Sequence, residues 1–154
     1  MRGFDISNKE FNFAEDLKFG EMGEDYARSF LQAITTGDYE VKTDRYRNGR
    51  MVIETNQNPR GMLDENGQRI WVPSGINVTT SKWWIYIFSL DGAFLMLEVS
   101  RLKRYLKANK KIFNEETKIS LGGQDNPARG FLLYPNHVSD LLANKKYDLA
   151  EQGE

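Results

Sequence analysis

Glu40-Val41-Lys42-Thr43-Asp44 and Val52-Ile53-Glu54-Thr55-Asn56 read as two strands separated by an Asn48-Gly49 turn signal, with Arg45, Arg47 and Arg50 around the turn. A two-residue turn would place Asp44 and Glu54 on opposite faces of the resulting pair. A three-residue loop, Arg47-Asn48-Gly49 with Gly49 left-handed, instead sets Asp44 opposite Val52 and Glu54 diagonally beside it. Their Cβ atoms would then lie roughly 7–8 Å apart. We expect the odd-length loop or an equivalent bulge. Carboxylates that close repel unless a cation neutralises them, and oxygen ligands suit Mg²⁺ or Mn²⁺. A divalent ion beside cationic side chains is the arrangement that phosphodiester hydrolysis needs.

Working outward, residues 15–34 predict a first helix, with Gly20, Gly23, Ala27, Phe30, Leu31 and Ile34 along one stripe. Glu24 sits at the edge of that stripe. Residues 56–73 are polar and turn-rich, an excursion from the sheet expected to be mobile unless a ligand orders it. Thr79-Thr80-Ser81 predict the cap of a short helical turn before Lys82. Trp84 to Phe88 and Ala93 to Leu97 predict a hairpin through Asp91-Gly92. Residues 98–109 predict a helix with Val99, Leu102 and Leu106 inward. Phe131 to Tyr134 predict another strand, stopped by Pro135, and a last helix runs to about Asn144. Of the neighbouring tryptophans, Trp84 is assigned to the core and Trp83 to a half-exposed position. His137 is expected to flank the last helix without a catalytic part.

The chain has 154 residues, enough for one core, and is 40% hydrophobic and 28% charged. Its expected organisation is an arm over 1–14, a single domain over 15–145 and a polar tail over 146–154. Cysteine is absent and histidine occurs once, which excludes disulfides and thiolate metal sites. That composition suits a cytoplasmic protein. No apolar run reaches the roughly 18–20 residues of a membrane span, so no membrane is expected as partner. The net charge of −1 is unevenly spread. Acids dominate from Asp5 to Asp25, whereas bases dominate from Lys42 to Arg60 and from Arg101 to Lys111. Local basic patches of this kind suit nucleic acid, and the one at 42–60 surrounds the two carboxylates.

The order of these segments resembles the PD-(D/E)XK nuclease superfamily, and more closely its small phage-encoded members. The resemblance rests on Gly20-Glu21-Met22-Gly23-Glu24, Glu40-Val41-Lys42-Thr43-Asp44, Ile53-Glu54, Ser74-Gly75-Ile76 and the Gly122 to Pro135 run. It covers roughly residues 17–135. It implies an α/β fold with a restriction-endonuclease-like core: a central mixed sheet flanked by helices in the order αβββαβ. It also implies a Mg²⁺- or Mn²⁺-dependent DNA endonuclease of the homing or branched-DNA-resolving kind. Such a protein would work in the cytoplasm of a bacterial host if phage-encoded. A chain this small would act as a homo-oligomer, a dimer or larger.

By this resemblance Asp44 and Glu54 are the metal-binding acids, helped by the Thr55 carbonyl, with Glu24 as the helix-borne glutamate. Asn56 stands where the motif has lysine. Lys82 is the preferred substitute, Lys42 the second and Gln57 the third. Arg45, Arg47, Arg50 and Arg60 would contact flanking phosphates, and Ser74 and Thr80 would bond phosphate oxygens. If no cation reaches the acids, the alternative is a catalytically inactive DNA- or protein-binding module on the same fold.

Overall fold

The computed structural model describes residues 13–122 and 125–149. The acidic arm up to residue 12, Gly123-Gln124 of the closing motif and the tail from residue 150 lie outside the described residues. The chain divides into two compact units at Gly37/Asp38, not into one domain from residue 15. The first unit carries helix α1, Phe13–Thr36, in which no described residue is buried. Along its apolar stripe Leu31 is exposed and Phe30 and Ile34 are half-buried. Gly37 ends the helix with φ +78° and an N–H donated to the Ile34 carbonyl.

The second unit is a mixed α/β assembly of two sheets. Its strands are β1 (Tyr39–Thr43), β2 (Met51–Gln57), β3 (Val72–Pro73), β4 (Trp83–Ser89), β5 (Ala93–Glu98), β6 (Ile119–Leu121) and β7 (Ala128–Leu133). Its helices are α2 (Val99–Ala108) and α3 (Pro135–Ala143), so the described chain has three helices in all. One sheet has the order β1-β4-β5, mixed; the other has the order β3-β2-β7-β6, antiparallel.

The expected β1–β2 hairpin does not form. β1 runs parallel to β4, Tyr39 opposite Trp83 through Thr43 opposite Ile87, while β2 pairs with β7. The Asn48-Gly49 turn exists: Gly49 is left-handed at φ +73° and Asn48 Oδ1 accepts from the Arg50 N–H. Arg47 is left-handed as well, at φ +49°. β1 then completes the edge of β4, a strand buried on both faces over Trp83–Tyr86. The β4–β5 hairpin closes through Asp91-Gly92 as its sequence predicts.

Both sheets feed one apolar cluster. Trp84, Tyr86 and Leu97 come from one, and Met51, Ile53, Phe131 and Leu133 from the other. α2 adds Val99, Leu102 and Tyr105, while α3 adds Val138 and Leu141. A fully buried side chain of this size contributes about 1.5–3 kcal/mol, so this cluster dominates the fold's stability. Trp83 is 2% exposed, so both tryptophans are buried and the half-exposed assignment is corrected. Tyr147, placed by sequence in a polar tail, is 1% exposed and belongs to the cluster. Arg104 donates to its carbonyl through Nε and Nη2, and Arg101 bonds the Leu141, Leu142 and Asn144 carbonyls and Asp148.

The 58–71 excursion is tied down by Asn58, which is fully buried. Its amide donates to the Met62 and Ile70 carbonyls at 2.7 and 2.8 Å. The helical turn expected after Thr79-Thr80-Ser81 is absent, and a 3₁₀ turn occupies Gly75–Asn77 instead. His137, expected to flank α3, instead lies in its first turn and caps it, its Nδ1 accepting from the Tyr134 N–H at 3.1 Å.

Candidate functional site

Alternation along β1 puts Glu40 and Lys42 on the sheet face that carries Trp84 and Tyr86, their partners in register. The Lys42 ammonium lies 2.6 Å from Glu40 Oε1 and 5.6 Å from the centre of the Trp84 ring. Burial alone would push the Glu40 carboxyl up. Hydrogen bonds from Lys42 and Thr79, with the Lys42 charge, outweigh it and hold the carboxyl below its ordinary value. Asp44 continues the ladder one step past the strand, donating its N–H to the Ile87 carbonyl at 2.8 Å. Its Oδ2 is shut off from water and has no hydrogen-bond partner. The Tyr86 phenol is pushed up, first by burial and then by the Asp44 charge, while a bond from the Val52 N–H pulls the other way. That bond, 3.1 Å from the Val52 nitrogen to the phenol oxygen, joins the two sheets.

Glu40 is the residue that reading the sequence missed. The signal was present, because Glu40, Lys42 and Asp44 occupy alternate positions of one strand and therefore share a face.

On β2, Glu54 is half-buried and its Oε1 accepts from the Ser74 hydroxyl at 2.6 Å. Gly75, with φ +52°, lies against it so closely that an added Cβ would come within 2.3 Å of the Glu54 carbonyl oxygen. Only glycine satisfies both the backbone angle and the approach. The Thr55 carbonyl, expected to help hold a metal, already accepts from the Ser74 N–H at 2.9 Å and the Asn77 amide at 3.0 Å. Both lone pairs are engaged, which removes it as a ligand. Ser74 is likewise corrected as a phosphate contact: it is 5% exposed and its hydroxyl is directed to Glu54. Asn56, where the motif has lysine, accepts from the Lys118 ammonium at 2.9 Å. Gln57 is exposed at the strand's end.

Asp44 and Glu54 thus stand on different sheets and not diagonally on one hairpin. The Lys82 ammonium pairs with Glu98 at 3.6 Å, because the β4–β5 register sets Trp83 opposite Glu98. Lys42, not Lys82, is the lysine that shares a strand face with Asp44. Thr80 is exposed beside a smaller cavity near Lys82. Glu24, on the other compact unit, faces Arg28 at 3.6 Å with both side chains exposed. Arg45, Arg47, Arg50 and Arg60 are all exposed. Arg50 stacks 4.9 Å from the Tyr134 ring, and the Arg60 N–H donates to Asn126 Oδ1.

Among the described residues no three His, Asp or Glu side chains converge to hold a metal ion. The donor chemistry at Asp44 nevertheless fits a hard cation. A carboxylate oxygen removed from water without a donor is stabilised by a positive charge, and Mg²⁺ takes one or two carboxylates with waters and phosphate. The Ser74–Glu54 bond is of the kind that orients a ligating carboxylate and leaves its second oxygen available. No helix of the described chain is long and apolar enough to cross a membrane. No model of a known protein family, no curated protein and no solved structure matches the chain.

Proposed function

We propose that the protein is a divalent-metal-dependent DNA endonuclease of the PD-(D/E)XK type, with β1 as its working strand. The observation that carries this reading is the buried Asp44 Oδ2 without a partner, on a strand that also bears the ion-paired Glu40 and Lys42. Asp44 and Glu54 would hold Mg²⁺ or Mn²⁺. Bound there, the ion supplies a water of lowered pKa and offsets charge on the phosphate. Lys42 brings a compact positive charge to the scissile phosphate, and Glu40 keeps its ammonium on the strand face. Arg45, Arg47 and Arg50, exposed immediately after Asp44, contact neighbouring phosphates in a salt-sensitive way. A symmetric dimer or larger oligomer of this small chain would span a duplex site.

The test incubates supercoiled plasmid and four-way-junction DNA with Mg²⁺ or Mn²⁺. Cleavage is expected from the native chain and lost in Asp44→Asn and in Lys42→Ala. A native chain that leaves both substrates intact with either ion ends the enzyme reading.

A non-catalytic DNA- or protein-binding module is the second reading. It is favoured by the engaged Thr55 carbonyl and by Asn56 in the lysine position. Calorimetric titration with Mn²⁺ separates the two. Uptake abolished by Asp44→Asn supports the nuclease, whereas salt-sensitive DNA binding without metal uptake supports the module.

A further inference from the structure

A cavity of about 580 Å³ opens beside β2, with Thr55 in its wall. Neither Asp44 nor Glu54 lines it, so this cavity is distinct from the carboxylate site. Its volume lies in the range of small-molecule sites. Leu106, Phe113 and Phe131 make an apolar wall, the two phenylalanine rings meeting edge to face at 5.5 Å. Lys103, Lys110 and Lys118 bring three ammonium groups to the same space.

Lys118 is the unusual member, for its side chain is only 7% exposed. Burying an ammonium costs free energy, and here Asn56 Oδ1 at 2.9 Å and Glu115 Oε1 at 2.5 Å offset it. An ammonium has three donors, so one remains after these two bonds. Glu115 also meets Arg129 at 3.5 Å and is itself 72% exposed. It is the single carboxylate in the lining, facing three lysines. Lys103 lies on α2 and Lys110 just past the end of that helix, and both side chains are exposed. An aromatic wall beside several ammonium groups suits a ligand with a flat apolar part and a compact anionic head.

We propose that this cavity binds a nucleoside monophosphate, its base against Phe113 and Phe131 and its phosphate among Lys103, Lys110 and Lys118. Lysines serve phosphate as point charges, and an edge-to-face aromatic wall suits a flat heterocycle. Glu115 competes with the phosphate for the Lys118 ammonium and so sets the affinity.

The experiment titrates the full chain with deoxyadenosine 5′-monophosphate by calorimetry in buffer with a chelator, and repeats the titration with deoxyadenosine and with inorganic phosphate. Saturable one-to-one binding of the nucleotide is expected, with each part alone weaker by about tenfold or more. Lys103→Ala and Lys110→Ala, both exposed and safe for folding, should each weaken it about fivefold, whereas Glu115→Gln should tighten it about twofold. Asp44→Asn should leave it unchanged, which keeps this outcome separate from that of the nuclease assay. No saturation by about 10 mM nucleotide, or affinity indifferent to both lysine variants, would overturn the proposal.

Discussion

Along β1, Glu40 and Lys42 satisfy each other, while Asp44, at the next position on that face, keeps an oxygen that neither water nor a donor reaches. Along β2 the polar atoms are met: Glu54 accepts from Ser74, the Thr55 carbonyl accepts twice, and Asn56 accepts from Lys118. The contrast teaches where chemistry can enter. A saturated strand is a scaffold that positions its side chains. An unsatisfied buried oxygen is a standing cost that a bound cation would remove. Natural proteins keep such costs at sites of function.

The most severe way to break the scaffold half is Gly75→Ala. The new Cβ must displace the Glu54 backbone in a conformation that alanine resists, so urea denaturation should register a loss of about 3 kcal/mol or more. Ser74→Ala leaves the backbone in place and removes only the donor to Glu54; a loss of about 2 kcal/mol is expected in the same measurement. Tyr86→Phe takes away the acceptor that links β4 to the Val52 N–H, for about 1 kcal/mol.

The other half of the contrast predicts the opposite sign. Asp44→Asn removes the charge from a carboxylate that has one oxygen buried without a partner, so in a chelating buffer it should raise stability by about 0.5–1 kcal/mol. Adding Mg²⁺ should raise the melting temperature of the native chain and not that of the variant. An Asp44→Asn protein less stable than the native one without metal would contradict the assignment.

The smallest effect is one of pH. The Glu40 carboxyl is held below its ordinary value of 4.5 in the folded chain, so the unfolded chain takes up its proton first as pH falls. The Glu40–Lys42 contribution is therefore complete above 4.5 and lost as pH drops through the folded value. Melting curves across that window should be flatter for Glu40→Gln.

Most elements were legible because their cues are local. The Trp84–Phe88 run, the Asp91-Gly92 turn and the Val99–Leu102–Leu106 stripe each declare themselves within a few residues. The partner of β1 was not legible. A parallel pairing leaves no turn to read, and its crossover here contains β2, β3 and the 58–71 excursion. Asp44 was recognisable as a candidate from its residue type, but its lack of a partner depends on what surrounds it in space. The loss of Thr55 as a ligand arises from Asn77, far along the chain. Lys82 was misjudged for a reason that local sequence contained: the β4–β5 hairpin, once counted through its turn, brings Glu98 to its side.

The inward turn of Arg101 and Arg104 has an electrostatic consequence for the whole α2 region. Of the bases between 101 and 111, these two guanidinium groups are engaged by backbone carbonyls near the chain's end and by Asp148. Their donors are occupied and Asp148 offsets one of the two charges, which leaves the lysines to make the direct contacts. Any polyanion meeting this surface would displace fewer counterions than the count of basic letters suggests, and its salt dependence should be correspondingly shallow.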